Sequence, residues 1–296
     1  MWSALGVVYL VWGSTYLAIA IAVQTHPPLL SAGLRFLLAG ALLGAWLVAR
    51  HGRGALRIEG RQLGGAALVG VLLLAGGNGL VVLAERTVPS GLTALVVASV
   101  PLWIVVFRLI AGDRVATSLL VGVLVGFAGV AILVVPRGAS GEVDPVGLVI
   151  VVGATFSWAL GTFASPRLPT PRDPLTSTAL QMLAGGALLL VIALAVGEPA
   201  RADPSSFSTA SLAAMAYLVV FGSLVAFSAY TWLLQHAPVS VVATYAYVNP
   251  VVAVLLGAVV LSEAVTPSML IGAAIILAAV AFIVSRRDAV GVGVGR

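Results

Sequence analysis

Long apolar stretches broken by short polar turns recur ten times along the chain. A helix needs about 20 apolar residues to cross the hydrocarbon layer of a bilayer. Stretches of that kind fall at 3–23, 29–49, 63–84, 89–110, 117–136, 145–165, 175–197, 210–235, 238–261 and 267–285. The turns between them carry proline or glycine: His26-Pro27-Pro28, Val88-Pro89, Pro136-Arg137-Gly138, Arg172-Asp173-Pro174 and Ala237-Pro238. Proline lacks an N–H and has a fixed φ, which suits the first turn of a helix and not its interior. None of these turns has room for an extramembrane domain. The pattern predicts an all-α membrane protein of ten transmembrane helices.

The order of spans repeats. Residues 111–134 laid on 261–284 align Ser118 with Ser268 and Gly122 with Gly272. Val88-Pro89 through Pro101 lies over Ala237-Pro238 through Pro250, and His26-Pro27-Pro28 through Gly40 lies less exactly over Pro171 through Gly186, with Arg35 opposite Gln181. Five spans per repeat is an odd number, so the two halves insert in opposite directions. The expected organisation is a first repeat over 3–136, a second over 145–285, and a disordered cytoplasmic tail over 286–296. Inverted repeats of this kind hold their substrate site near the midplane, between the halves.

Composition agrees with the bilayer as solvent. Of 296 residues, 61% are hydrophobic and 8% charged, against roughly 25% charged in soluble domains, and the mean hydropathy is +1.15. The fifteen basic residues are all arginine and are spread along the chain, so the +5 charge does not point to nucleic acid. With the N-terminus in the cytoplasm, Arg50, Arg53, Arg57, Arg61, Arg108, Arg114, Arg167, Arg172, Arg286, Arg287 and Arg296 fall inside, and Arg86, Arg137 and Arg201 outside. That bias predicts cytoplasmic termini. The first apolar stretch lacks a basic start and a small-residue cleavage site, and is read as a retained helix. Cysteine is absent, which excludes disulfides and thiolate chemistry. No H-E-x-x-H, G-x-S-x-G or phosphate loop occurs, so neither an enzyme, a metal site nor a cofactor is expected.

Polar groups within a bilayer are costly and mark functional candidates. They gather in the first, third, fourth, sixth, eighth and ninth spans, which are expected to line a cavity, with the fifth and tenth at the periphery. The candidate lining is Trp12, Thr15, Tyr16, Asn78, Ser99, Trp103, Trp158, Tyr230, Tyr245, Tyr247 and Asn249. The mid-depth aromatics suit flat or cationic ligands, whereas Trp2 and Trp46 belong to interfacial belts. Asn78 either bonds substrate or makes an interhelical amide bond. Arg35, about two turns inside the second span, either holds a substrate anion or snorkels. Glu85, beside Arg86, is either a proton-coupling carboxylate or half of an ion pair. Pro101 and Pro250 sit at equivalent mid-helix positions and predict kinks that can serve as hinges.

Trp12-Gly13-Ser14-Thr15-Tyr16, Leu34-Arg35-Phe36, Gly77-Asn78-Gly79, Pro89-Ser90-Gly91 and Tyr245-Ala246-Tyr247-Val248-Asn249-Pro250 together resemble the drug/metabolite transporter superfamily. The chain resembles in particular the ten-helix EamA-type permeases and, within them, the YedA-type inner-membrane exporters. The resemblance implies a five-plus-five inverted-repeat fold, cytoplasmic termini, a central cavity, and export of metabolites or drugs from a bacterial inner membrane by a monomer or homodimer. Its partners would be the lipid bilayer and a small-molecule substrate. A flippase for a lipid or polyprenyl carrier is the alternative on the same fold. A membrane-embedded enzyme would need clustered His, Asp, Glu or Ser at one face, which the sequence does not offer.

Overall fold

The structure is a computed structural model that describes residues 1–52, 54, 58–134, 144–237, 241–242 and 244–287, apart from the side chains of 134, 247 and 284–287. Of the expected tail over 286–296, residues 286 and 287 are helical and 288–296 lie outside the described residues, as does the Tyr247 side chain. All regular structure among the described residues is helical. Seven helices are long and apolar enough to span a bilayer: α1 (Trp2–Ala22), α2 (Pro28–His51), α3 (Gly60–Ala84), α4 (Ser90–Ile110), α6 (Pro145–Arg167), α7 (Pro174–Ala195) and α8 (Thr209–His236). Three further apolar helices are α5 (Thr117–Val134), α9 (Tyr245–Leu261) and α10 (Pro267–Arg287). Their apolar parts are shorter, at Thr117–Leu133, Val248–Leu261 and Pro267–Ile283.

Apolar side chains on the outer faces, such as Ile110, Leu124, Val149 and Val259, are exposed, as a lipid-facing surface requires. Lipid removes the hydrophobic drive for helix association, so close approach through small residues takes its place. The α2–α7 contact shows this at atomic level. A Cβ at Gly40 would lie 3.1 Å from the Ala179 carbonyl, and one at Gly186 would lie 3.0 Å from the Gly33 carbonyl. These two contacts exchange with each other under the alignment that sets Arg35 opposite Gln181. The helix pairings follow the same rule. α3 packs on α6 and α7, as α8 packs on α1 and α2; α4 packs on α6, as α9 packs on α1; and α2–α7, α5–α10 and α4–α9 each map onto themselves. The α5–α10 pair stands at the edge of the bundle, where the sequence places it.

Helix starts are handled in two ways. α6, α7 and α8 cap themselves: Asp144 accepts from the Val146 amide (3.0 Å), Asp173 from Thr176 (2.7 Å) and Ser208 from Ser211 (3.1 Å). α2 and α4 follow Pro27 and Pro89 and have no such cap of their own. Their first amides donate to carboxylates from the other half of the chain. Leu29 and Leu30 donate to Glu198 at 3.3 and 2.7 Å. Ser90 and Gly91 donate to Glu263 at 2.8 and 3.0 Å. Negative charge at a helix N-terminus satisfies otherwise orphaned donors and complements the helix dipole. We call this the Glu end of the bundle, and the opposite end, with Arg50, Arg108, Arg114, Arg167 and Arg172, the Arg end.

The two prolines expected to act alike do not. α4 is interrupted by a turn at Ala98–Ser99, just before Pro101, while α9 runs unbroken from Tyr245 through Pro250. Asn249 accounts for the difference. With its amide oriented to donate, it reaches the Tyr245 and Tyr9 carbonyls at 3.2 Å and holds the turn that proline loosens. Its counterpart in α4 is Val100, which has no donor. A second departure from regular helix is wide π-type winding at Val8–Trp12, Val71–Gly79 and Leu218–Phe227. The latter two fall in α3 and α8, which hold the same place in the expected order of spans.

Candidate functional site

A cavity lies at the centre of the bundle, lined in part by the wide turns of α1, α3 and α8. It is lined by Trp12, Thr15, Tyr16 and Ile19 of α1; Arg35 and Phe36 of α2; and Leu74, Gly77, Asn78 and Val81 of α3. Val97 of α4, Ala154 and Trp158 of α6, Gly222 and Phe227 of α8, and Tyr245 and Asn249 of α9 complete it. About 60 Å³ is open to the centres of water-sized spheres, room for several waters. A π-type turn shifts backbone hydrogen bonding by one residue and is often found at functional sites. Here it leaves the Gly222 carbonyl to accept from Trp12 Nε1 at 3.3 Å.

Four rings form a septum on the side of the cavity toward the Arg end. Trp12 lies 5.4 Å from Trp158, 4.8 Å from Tyr230 and 5.6 Å from Tyr245, centroid to centroid. Tyr230 and Tyr245 are 5.9 Å apart and edge-on. The Tyr230 and Thr162 hydroxyls bond at 3.1 Å. Beyond the septum is a smaller apolar hollow lined by Pro101, Ile104, Thr162, Tyr230, Leu234, Val242 and Tyr245. Tyr245 faces both spaces.

Three polar residues stand out. Arg35 is 4% exposed; its Nε donates to Ser223 Oγ at 2.8 Å, and its Nη1 is buried without a partner. Its counterpart Gln181 donates to Ser177 within its own helix at 2.9 Å and is not in the cavity. Asn78 lines the cavity with its Oδ1 unpartnered. Glu85, at the Glu end, has both carboxylate oxygens buried without a hydrogen bond, and Tyr16 of the cavity is within electrostatic reach of it. The ion-pair alternative with Arg86 is not what the structure has: Arg86 is exposed, and the ion pair among the described residues is Arg108–Asp113 at 2.8 Å. Through that hydrogen bond, the Arg108 guanidinium holds the Asp113 carboxyl below its ordinary range.

The residues expected to line one cavity are therefore divided. Trp12, Thr15, Tyr16, Asn78, Trp158, Tyr245, Asn249 and Arg35 surround the main cavity. Tyr230 and Pro101 border the hollow. Ser99 and Trp103 belong to neither. The Ser99 hydroxyl is spent on the Val96 carbonyl (2.6 Å). Trp103 donates to Thr155 (3.1 Å) and packs on Phe127 and Phe156, toward α5 and α6. The turn at Ala98–Ser99 separates its facing from that of Val97. Pro250 is buried in the α9 interior. Phe36, Phe227 and Gly222 were not among the sequence candidates. Neither were Glu198 and Glu263; nothing in the local sequence links either to a helix start about 170 residues earlier.

With this geometry in hand, the likeness to known proteins is direct. The sequence profile of the EamA-like transporter family matches residues 2–135 and again 145–285. The inner membrane transporter YedA of Escherichia coli K12 is 41% identical over 259 residues, covering 87% of this chain and 81% of that protein. The transporter YvbV of Bacillus subtilis 168 is 27% identical over 282 residues, covering 95% and 90%. A solved crystal structure superposes with a TM-score of 0.67 at 23% identity, over 97% of both chains, and so shares the fold. Two profile matches that together span nearly the whole length, on a helical bundle built to cross a membrane, place this chain in the EamA-like transporter family of membrane transporters.

Proposed function

We propose that the protein is a secondary transporter that exports small amphipathic metabolites by alternating access, with ten spans arranged as two inverted five-helix repeats and both termini cytoplasmic. The observation that carries this reading is the division of the central path. A cavity with polar groups is separated by the Trp12–Trp158–Tyr230–Tyr245 septum from a hollow toward the Arg end. Rocking one repeat against the other would part the rings on one side and the Glu198 and Glu263 contacts on the other. The exchange of Gly40–Ala179 with Gly186–Gly33, the symmetric helix pairings and the double profile match all support two related halves. The arginine bias supports the orientation. The export direction rests on the family resemblance.

Glu85 is the coupling residue of this reading. A proton-coupled carrier needs a carboxylate that binds and releases a proton as its surroundings change, and Glu85 is buried, unpaired and close to the cavity wall. The test is flux in proteoliposomes of a mixed panel of labelled amino acids and aromatic compounds, with and without a pH gradient. Flux accelerated by the gradient and lost in Glu85→Gln is expected. Flux that ignores the gradient and survives Glu85→Gln removes proton coupling and leaves facilitated transport. No flux of any solute under either condition removes the metabolite reading itself.

A further inference from the structure

Arg35 is the one basic group lining the central cavity, and no acid among the described residues is paired with it. We propose that Arg35 is the seat for a single negative charge on the cargo, so that the cavity selects aromatic monocarboxylates over the corresponding amides and amines. This rests on the transporter reading above and names the class of substrate that the same cavity takes.

The argument begins with cost. Moving a guanidinium out of water costs several kcal/mol unless an anion and hydrogen bonds replace the lost solvent, and arginine keeps its charge inside proteins. Arg35 receives little replacement from the chain. Ser223 takes Nε, Nη1 has no partner, and the Phe36 ring lies 4.7 Å from the guanidinium carbon. Snorkelling would bring the head to water, yet the side chain is buried and lines the cavity.

The surroundings hold the fork in place. The Ser223 hydroxyl fixes Nε, and Gly222, on the wide turn of α8, leaves space where a Cβ would sit 2.9 Å from Nη2. A guanidinium anchored through one edge presents its remaining N–H groups as a pair, which matches the two oxygens of a carboxylate. One such group balances a monoanion; a phosphate dianion would find half its charge unmatched. Trp12, Trp158, Phe36 and Phe227 supply apolar ring faces in the same cavity. Because Gln181 stands at the repeat-related position and bonds within its own helix, there is one anion seat and not two.

The experiment measures binding, without any gradient, to the purified full-length protein in detergent. The probes are 3-phenylpropionate, its amide 3-phenylpropionamide, and phenethylamine, followed by thermal shift and by calorimetry. In the unaltered protein the acid is expected to bind about 10- to 100-fold more tightly than the amide, the range for charged hydrogen bonds. Arg35→Gln should bring acid and amide level by weakening the acid and leaving the amide. Should that variant fail to fold, Ser223→Ala keeps the charge but frees the fork, and is expected to lower the acid-to-amide ratio by a smaller factor. Equal binding of acid and amide, a preference for the amine, a preference that survives either variant, or binding of none of the three overturns the proposal. Flux of the same probes in proteoliposomes is scored separately. Selective binding without flux would count against transport and leave the anion seat standing, whereas flux of the amine without selection for the acid would do the reverse.

Discussion

The two ends of the bundle are held by opposite kinds of contact. At the Glu end the ties cross between the halves of the chain: Glu198 to Leu29 and Leu30, Glu263 to Ser90 and Gly91, Asp144 to Thr87 and Ser208 to Thr25. At the Arg end the hydroxyls of Tyr9 and Thr244 bond across the halves, but the charged contacts of the described residues stay local. Arg108 pairs with Asp113 five residues on, Arg167 with the Phe163 carbonyl one turn back, and Asp173 caps its own helix. Parting the halves at the Glu end therefore breaks charged hydrogen bonds, while parting them at the Arg end breaks ring packing and a neutral hydroxyl bond, Tyr9 to Thr244. The conformation described is one in which the Glu end is latched.

The largest expected effect comes from unlatching that end. Each carboxylate satisfies two helix-start amides, and a charged hydrogen bond contributes about 1.5–3 kcal/mol. Glu263→Ala and Glu198→Ala should each shift the equilibrium toward opening at the Glu end by about tenfold or more. The natural absence of cysteine makes the measurement clean: a lone cysteine at Ile19 should react correspondingly faster with an impermeant maleimide applied from that side. Unchanged reactivity in both variants would dissolve the contrast between the ends. A smaller effect belongs to the septum. Tyr230→Phe removes the bond to Thr162 but keeps the ring, so stability should fall by about 1 kcal/mol in chemical denaturation, with Glu-end reactivity unaltered.

The smallest effect is expected for Asp113→Asn, because an exposed pair contributes little. The sign of its pH dependence follows from the lowered carboxyl pKa. The contribution is present above the unfolded-state value and is lost as pH falls through the folded one. Melting temperature at neutral pH should thus barely change on substitution, and the slight difference that exists should vanish in acid. A large loss at neutral pH would mean that the Arg end is held more tightly than its local contacts indicate.

Depth along the membrane was legible in the sequence; direction around each helix was not. The spans read at 3–23 and 175–197 are within two residues of α1 and α7 at both ends, because a backbone in lipid must satisfy its own hydrogen bonds over a fixed thickness. Trp103 shows what is lost. Its mid-depth position is plain, but the residues around it, Val100 to Phe107, are otherwise apolar, so no polar neighbour marks which side meets the cavity. The α4 break, which Pro101 announces, adds a rotation whose direction no residue type gives. The Pro101 and Pro250 pair was equally legible as a pair, and its divergence depended on whether the preceding side chain, Val100 or Asn249, can donate a hydrogen bond. The carboxylate latches were least legible, since each joins residues about 170 apart.

That separation has a consequence for how the protein is made. Helices α2 and α4 enter the membrane while Glu198 and Glu263 are still to be translated, so during synthesis their starts lack the acceptors they have in the finished bundle. At about 5–20 residues per second the interval lasts on the order of 10–30 s. A nascent chain arrested before Glu198 should accordingly show faster amide hydrogen exchange at Leu29 and Leu30 than the released protein, and Ser90 and Gly91 should stay unprotected until the ribosome has passed Glu263. Under the proposed rocking motion, the closing of the Glu end would be a late step of biogenesis as well as a step in the working cycle.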